Sequence, residues 1–345
     1  YYKIPEAAKE PSTDSARFKK IRLISFLTAT LGYGMYYVCR LSMNVIRKPM
    51  VDDGVFTETE IGIIGSCLFF TYAIGKFCNG FIADRSNVKK LMSTGLLISA
   101  LINLALGFTN SFIVFAVLWG INGYFQSMGA ASGVVSLSRW FDASNRGTYY
   151  GYWSASHNLG EAITFISIAI LATNFGWRYG LIGAGLIGIA YFFIMQWLMK
   201  DTPQKYGYLL EDATSKKEEK NKADFNASQK TVLCSPAIWI LALASAFMYI
   251  SRYAVNSWGV FYLETMKGYS TLDASFIISI SSVCGIVGTV ASGLISDKLF
   301  KGSRNIPALV FGLMNVLALC LFLLVPGVHF YIDVIAMVLF GLGIG

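Results

Sequence analysis

The chain has 345 residues, of which 55% are apolar and only 14% charged, with a formal net charge of +8. Soluble domains carry about 25% charged residues, and a folded surface must present polar groups to water, so this composition excludes a soluble protein. Six cysteines spread over the chain exclude a secreted disulfide scaffold, and 25 Phe, 19 Tyr and 7 Trp exclude disorder. What remains is an all-α polytopic membrane protein with the lipid bilayer as its solvent.

In chain order, a tail (residues 1–20) precedes apolar stretches at about 22–46, 59–83, 90–108, 112–138, 147–173, 177–199, 236–263, 273–296, 305–325 and 331–345. Each is long enough to cross a bilayer as a helix. The last stretch is still apolar where the sequence stops, and the first residue is Tyr1, so both ends are expected to be trimmed. Counting Lys and Arg in the connections gives 21 on the side of the tail and four (Arg47, Lys48, Arg178 and Lys267) on the other. Three more, Arg40, Lys76 and Arg252, fall inside spans. Positive residues stay inside, so the N-terminal tail and the polar segment 200–235 are expected to be cytoplasmic. That segment mixes both charge signs around Ser215–Lys222 and reads as a linker between a six-helix bundle (21–199) and a second bundle (236–345). The sequon Asn226-Ala227-Ser228 is expected to be silent on that side. The positive excess reads as topology and attraction to anionic headgroups, with no nucleic-acid partner.

The two parts repeat each other. Gly75, Gly80 and Asp84 recur as Gly288, Gly293 and Asp297 at an offset of 213, and Tyr37, Arg40 and Asn44 recur as Tyr249, Arg252 and Asn256 at 212. Such a parallel duplication relates its halves by an axis along the membrane normal, as in major facilitator transporters. The expected fold is two bundles of six helices, the last two lying outside this chain.

Arg40 shares a helix face with Tyr33, Tyr36, Tyr37 and Asn44; Arg252 shares one with Ser245, Met248, Tyr249 and Asn256. An arginine at the bilayer centre costs about 2.5–3.5 kcal/mol even on the lenient insertion scale. Two at matched positions, with no acid in either stripe, point to a shared anionic ligand rather than to snorkelling or structural ion pairs. Lys76, with Tyr72 and Asn79 on its face, either adds positive potential or pairs with an acid elsewhere. His157 and Glu161 lie one turn apart in the fifth span. Glu161 is the proton-coupling candidate, or else a partner for His157 or Lys76. The substrate-binding candidates are therefore Arg40, Arg252, His157, Lys76, Tyr36, Tyr37, Asn44, Tyr249 and Asn256. The gating candidates are Gly80, Asp84, Arg85, Gly293 and Asp297, in which a small residue allows tight helix packing and acidic and basic residues latch a gate.

Gly80-Phe81-Ile82-Ala83-Asp84-Arg85, followed by Lys89 and Lys90, resembles the cytoplasmic loop signature of the major facilitator superfamily. Arg146-Gly147-Thr148, Trp153 and His157-Asn158-Leu159-Gly160, with Asp201-Thr202-Pro203-Gln204 to Gly207, resemble the organophosphate:phosphate antiporters. That family holds glycerol-3-phosphate and hexose-6-phosphate transporters and a hexose-phosphate sensor. The resemblance implies phosphate binding by Arg40 and Arg252, with His157 and Lys76 at matching positions. It also implies exchange of an organophosphate for inorganic phosphate in a bacterial inner membrane. Ser154 and Gly160-Glu161 depart from the family's Asn and Gly pair. Leu41 and Ser282 stand where the glycerol-3-phosphate branch has Lys and Glu, which favours a sugar phosphate such as hexose 6-phosphate.

No metal-ligand spacing, phosphate loop or nucleophile–base pair is present, so neither an enzyme nor a cofactor is expected. The cysteines read as small apolar residues and Gly183–Gly188 as a close-packing surface. The protein is expected to be a monomer. Competing readings are a sugar-phosphate sensor signalling to a membrane kinase, a glycerol-3-phosphate antiporter, and a proton-coupled facilitator relying on Glu161.

Overall fold

The computed structural model describes residues 16–206, 235–298 and 305–344; the side chains of residues 143, 144, 237, 241, 242, 290–298 and 305 are outside that description. Most of the tail 1–20 and of the segment 200–235 therefore lies outside the described residues, as do the side chains of Gly293 and Asp297. Ten α-helices account for nearly all of the rest: α1 (Ala16–Asp52), α2 (Glu58–Arg85), α3 (Val88–Leu106), α4 (Phe112–Trp140), α5 (Ala143–Phe175), α6 (Trp177–Leu198), α7 (Pro236–Tyr262), α8 (Thr271–Lys298), α9 (Asn305–Leu324) and α10 (Phe330–Ile344). A π-helical turn, Leu263–Lys267, prolongs α7. Helices are the outcome expected in lipid, where each backbone polar group must be satisfied within its own segment.

Eight of these helices are long and apolar enough to cross a membrane. Ten were expected; α10 has 15 residues, and α1 is not among the eight. The 37-residue α1 runs on to Asp52 and carries Arg40, Arg47 and Lys48 inside it. Arg47 and Lys48 are thus helical rather than loop residues. Polar starts mark several boundaries. Thr57 and Glu60 cap α2 reciprocally, the Thr57 N–H donating to Glu60 Oε2 at 2.8 Å and the Glu60 N–H to Thr57 Oγ1 at 3.3 Å.

Close packing rests on small residues, as in other membrane bundles. A Cβ at Gly185 would lie 2.7 Å from the Ala100 carbonyl oxygen, and one at Gly160 would lie 2.5 Å from that of Gly34. The duplication is visible in the same contacts. Gly75 of α2 is pressed against Ser127 and Tyr124 of α4, and Gly288 of α8 is pressed against Leu342 of α10. Gly80, expected to provide the tight approach, has nothing within 4 Å of its Cβ position. The packing role belongs to Gly75, five residues earlier.

The two sets of helices, α1–α6 and α7–α10, meet through α1 against α7 and α5 against α8. The first junction joins matched points of the repeat. Asn44 donates from Nδ2 to the Asn256 carbonyl oxygen at 3.1 Å, and Asn158 lies against Gly285. Because α1 and α7 touch through their C-terminal halves, the junction is closed toward the face where these helices end. This is the distal face; the proximal face is where α1 begins.

Candidate functional site

The backbone of Arg40 is held from behind. The carbonyl oxygen of Cys39 accepts from Asn103 Nδ2 at 2.8 Å and from Asn122 Nδ2 at 3.4 Å, and Ser42 Oγ donates to Asn103 Oδ1 at 2.7 Å. These asparagines, on α3 and α4, are buried and have no other reason to lie in an apolar bundle than to find such partners. They fix the register of α1 and point Arg40 toward the junction.

Arg40 is 5% exposed, and its guanidinium sits among rings: Tyr72 at 4.2 Å, Tyr37 and Tyr253 at 5.7 Å and Phe69 at 5.8 Å. Among the described residues no carboxylate pairs with it. Ring faces attract a cation by about 0.5–2 kcal/mol each but accept no strong hydrogen bond. The cage therefore holds the charge in place and leaves its donors for an anion. Tyr72 carries a second cation on the same ring, Lys76 Nζ at 5.1 Å. Of the four caging residues, Tyr253 and Phe69 were not found from sequence. Tyr253 stands next to Arg252, and an aromatic beside a buried cation was the one available signal.

Arg252 lies across the junction and is differently placed. Its Nη2 donates to Asn158 Oδ1 at 2.8 Å and lies 3.6 Å from Glu161 Oε1. No acid lies in either arginine's own stripe, yet Arg252 has a carboxylate partner, because that acid arrives from α5 rather than from its own helix. Glu161, 3% exposed, also accepts from Asn256 Nδ2 at 3.0 Å and from Ser282 Oγ at 3.1 Å. One carboxylate of the first six helices thus holds two helices of the other set. It pairs with neither His157 nor Lys76.

The fifth-helix motif has a common purpose. Trp153 stacks on Tyr33 at 4.6 Å, His157 lies 5.7 Å from the Tyr37 ring, Asn158 reaches Arg252, and Gly160 lets α5 touch Gly34 of α1. It is the surface that seats α5 on α1 and brings His157 beside the Arg40 cage.

Other candidates are placed elsewhere. The Tyr36 hydroxyl donates to the Met92 carbonyl oxygen at 2.6 Å, and its ring fills the space left by Gly95 and Gly129. Tyr36 thus packs inside the first bundle, away from the junction of the two sets of helices. Tyr249 is 57% exposed and stacks on Tyr253, so it backs the cage rather than entering it. At the turn between α2 and α3, the carboxylate that bonds the neighbouring groups is that of Asp201, which follows α6. Asp201 Oδ1 accepts from the Val88 N–H at 2.9 Å and from Arg139 Nη1 at 3.2 Å, and Oδ2 accepts from Lys205 at 2.7 Å. Asp84 contributes its carbonyl oxygen to Arg139 Nη2, and its side chain and that of Arg85 are exposed.

Two further cations counted as loop residues are buried. Lys267 pairs with Asp333, whose other oxygen accepts from the Tyr269 hydroxyl at 2.7 Å; this ties the end of α7 to the start of α10. Arg47 is 2% exposed. No metal-binding cluster of His, Cys, Asp or Glu occurs among the described residues.

Residues 23–345 match the Major Facilitator Superfamily. The chain is 32% identical over 304 residues to the membrane sensor protein UhpC of Escherichia coli K12, covering 86% of this chain and 69% of that one. It is 34% identical over 321 residues to a probable hexose phosphate transport protein of Chlamydia muridarum, covering 88% and 70%. A glycerol-3-phosphate transporter of Bacillus subtilis is 30% identical over 349 residues, covering 96% and 78%. Among solved structures, a bacterial homologue of the human lysosomal transporter Spinster, inward-facing and unoccupied, has a TM-score of 0.78 at 18% identity, covering 95% of this chain and 74% of that one. That likeness shows the fold.

Proposed function

The chain belongs to the major facilitator superfamily and, within it, to the organophosphate:phosphate antiporter family, and from that premise we propose that it exchanges a sugar phosphate such as hexose 6-phosphate for inorganic phosphate by alternating access. The observation that carries this reading is the buried Arg40 guanidinium, ringed by aromatics and without a carboxylate, on the helix that matches the one bearing Arg252. A planar guanidinium offers a phosphate paired donors that an ammonium does not.

The charges balance a phosphate ester. A phosphomonoester carries about −1.5 to −2 at neutral pH. Arg40, Arg252 and Lys76 set against Glu161 leave two positive charges, so the ligand neutralises the group as a whole.

Glu161 gives the binding step its consequence. Before the ligand arrives Arg252 is already compensated by Glu161, so mutual repulsion of the arginines is not what holds the carrier still. The restraint is the carboxylate itself, which joins Arg252, Asn256 and Ser282 across the junction. A phosphate that takes over Arg252 competes with Glu161 and loosens those bonds. Without the anion the bonds persist and switching is slow, which makes exchange obligatory. In this reading the N-terminus and the proximal face are cytoplasmic, the protein acts as a monomer in a bacterial inner membrane, and it is not an enzyme.

A second reading, a sugar-phosphate sensor, is favoured by the 32% identity to a membrane sensor protein and by the same internal counter-ion, which stabilises an empty resting state. Phosphate exchange by the full-length protein in liposomes, competed by a panel of phosphate esters, separates the two. Exchange inhibited best by a hexose phosphate supports the antiporter; saturable binding without exchange supports the sensor.

A further inference from the structure

Arg47 lies seven residues beyond Arg40 on α1, about 10 Å along the helix and on the same face. Its Nη2 donates to Asn44 Oδ1 at 3.0 Å, while Nε and Nη1 are buried and meet no acceptor. Among the described residues no carboxylate lies within ion-pair distance of it. On one side Gly65 of α2 leaves room, since a Cβ there would come within 3.3 Å of Nη2. On the other, the indole of Trp258 from α7 covers the guanidinium at 4.2 Å.

Burying a cation without a counter-charge is costly, and a single ring face offsets only part of that cost. A methionine would pack the same space without that cost, so packing does not explain an arginine here. The lid belongs to the other set of helices, and Trp258 is itself 37% exposed. Opening of the junction on the distal face would withdraw Trp258 with α7 and expose the two unpaired nitrogens of Arg47.

We propose that Arg47 forms a second phosphate-binding site between the distal opening and the Arg40–Arg252 pair, closed in this conformation by Trp258. It captures the phosphate group of an anion arriving from the distal face and passes it inward to Arg40. This rests on the reading of the chain as a phosphate exchanger, and it makes the two faces unequal: an anion arriving from the proximal face reaches Arg40 without meeting Arg47.

The test is self-exchange of radiolabelled inorganic phosphate by the full-length protein in liposomes, with half-saturation measured separately from each face. In Arg47→Met, the distal half-saturation should rise about tenfold, the effect of losing one charge-assisted contact, while the proximal value stays within twofold. Arg47→Lys, which keeps the charge and loses the planar fork, should show a smaller rise on the same face. A folded Arg47→Met with an unchanged distal value overturns the proposal; if that variant does not fold, an unchanged distal value in Arg47→Lys does so. Arg40→Lys serves as the separate control. It should weaken exchange from both faces, and if it weakens neither, the primary site has failed whatever Arg47 does.

Discussion

Asn44 donates a hydrogen bond to the carbonyl oxygen of Asn256 at 3.1 Å, and the two residues are separated by 212 positions, the offset of the repeat itself. Equivalent points of the two halves touch at the axis that relates them. This contact places Arg40 and Arg252, one turn earlier on each helix, on opposite sides of one junction.

If both arginines hold one phosphate, Arg40→Lys and Arg252→Lys should each weaken phosphate binding by about 2 kcal/mol, the scale of a charge-assisted hydrogen bond. The double variant should lose less than the sum, because the second change acts on a ligand already loosened. Calorimetric binding to the solubilised protein and the three variants measures this. Fully additive losses would mean separate ligands.

Glu161→Gln keeps the size of the side chain and removes its charge, so Arg252 no longer has an internal competitor. Phosphate should bind more tightly, by about 1 kcal/mol or more. Calorimetric phosphate binding compares this variant with the wild type, and an unchanged affinity would return Glu161 to a purely structural role.

Asp333→Asn leaves Lys267 buried without its charge partner and should lower stability by about 3 kcal/mol. Replacing both, Lys267→Met with Asp333→Leu, should recover most of the loss, since the desolvation of both charges disappears together. Thermal unfolding in detergent compares the two. A double variant as unstable as the single would show that the pair contributes more than mutual neutralisation.

Topology is tested by cysteine labelling in intact cells. A cysteine at Lys90, or within the segment 207–234, should react only after the cytoplasm is opened, and one at Asn110 should react from outside. The reverse pattern would invert the assignment of the faces.

Helix number and most helix ends were legible in the sequence within a few residues, because lipid forces a spanning segment to satisfy its own backbone and to be apolar along its length; α1, which runs six residues further at each end than its apolar stretch, is the exception. The repeat was legible because duplication leaves a constant offset, and Arg40 and Arg252 stood out because a cation in hydrocarbon is expensive wherever it points. Contacts between helices were not legible, since they depend on how each helix is rotated and on depth in the membrane. Arg47 and Lys267 counted as loop cations, yet packing buries both, one under Trp258 and one on Asp333. Glu161 had two possible partners, His157 one turn away and Lys76 on the second helix, and its charge went to Arg252 on a helix more than ninety residues later. Gly75 and Gly80 recur equally in the repeat, but only Gly75 faces α4 closely enough for a side chain to collide. Composition and period set which segments enter the membrane; the fit of one helix surface against another decided which charges meet.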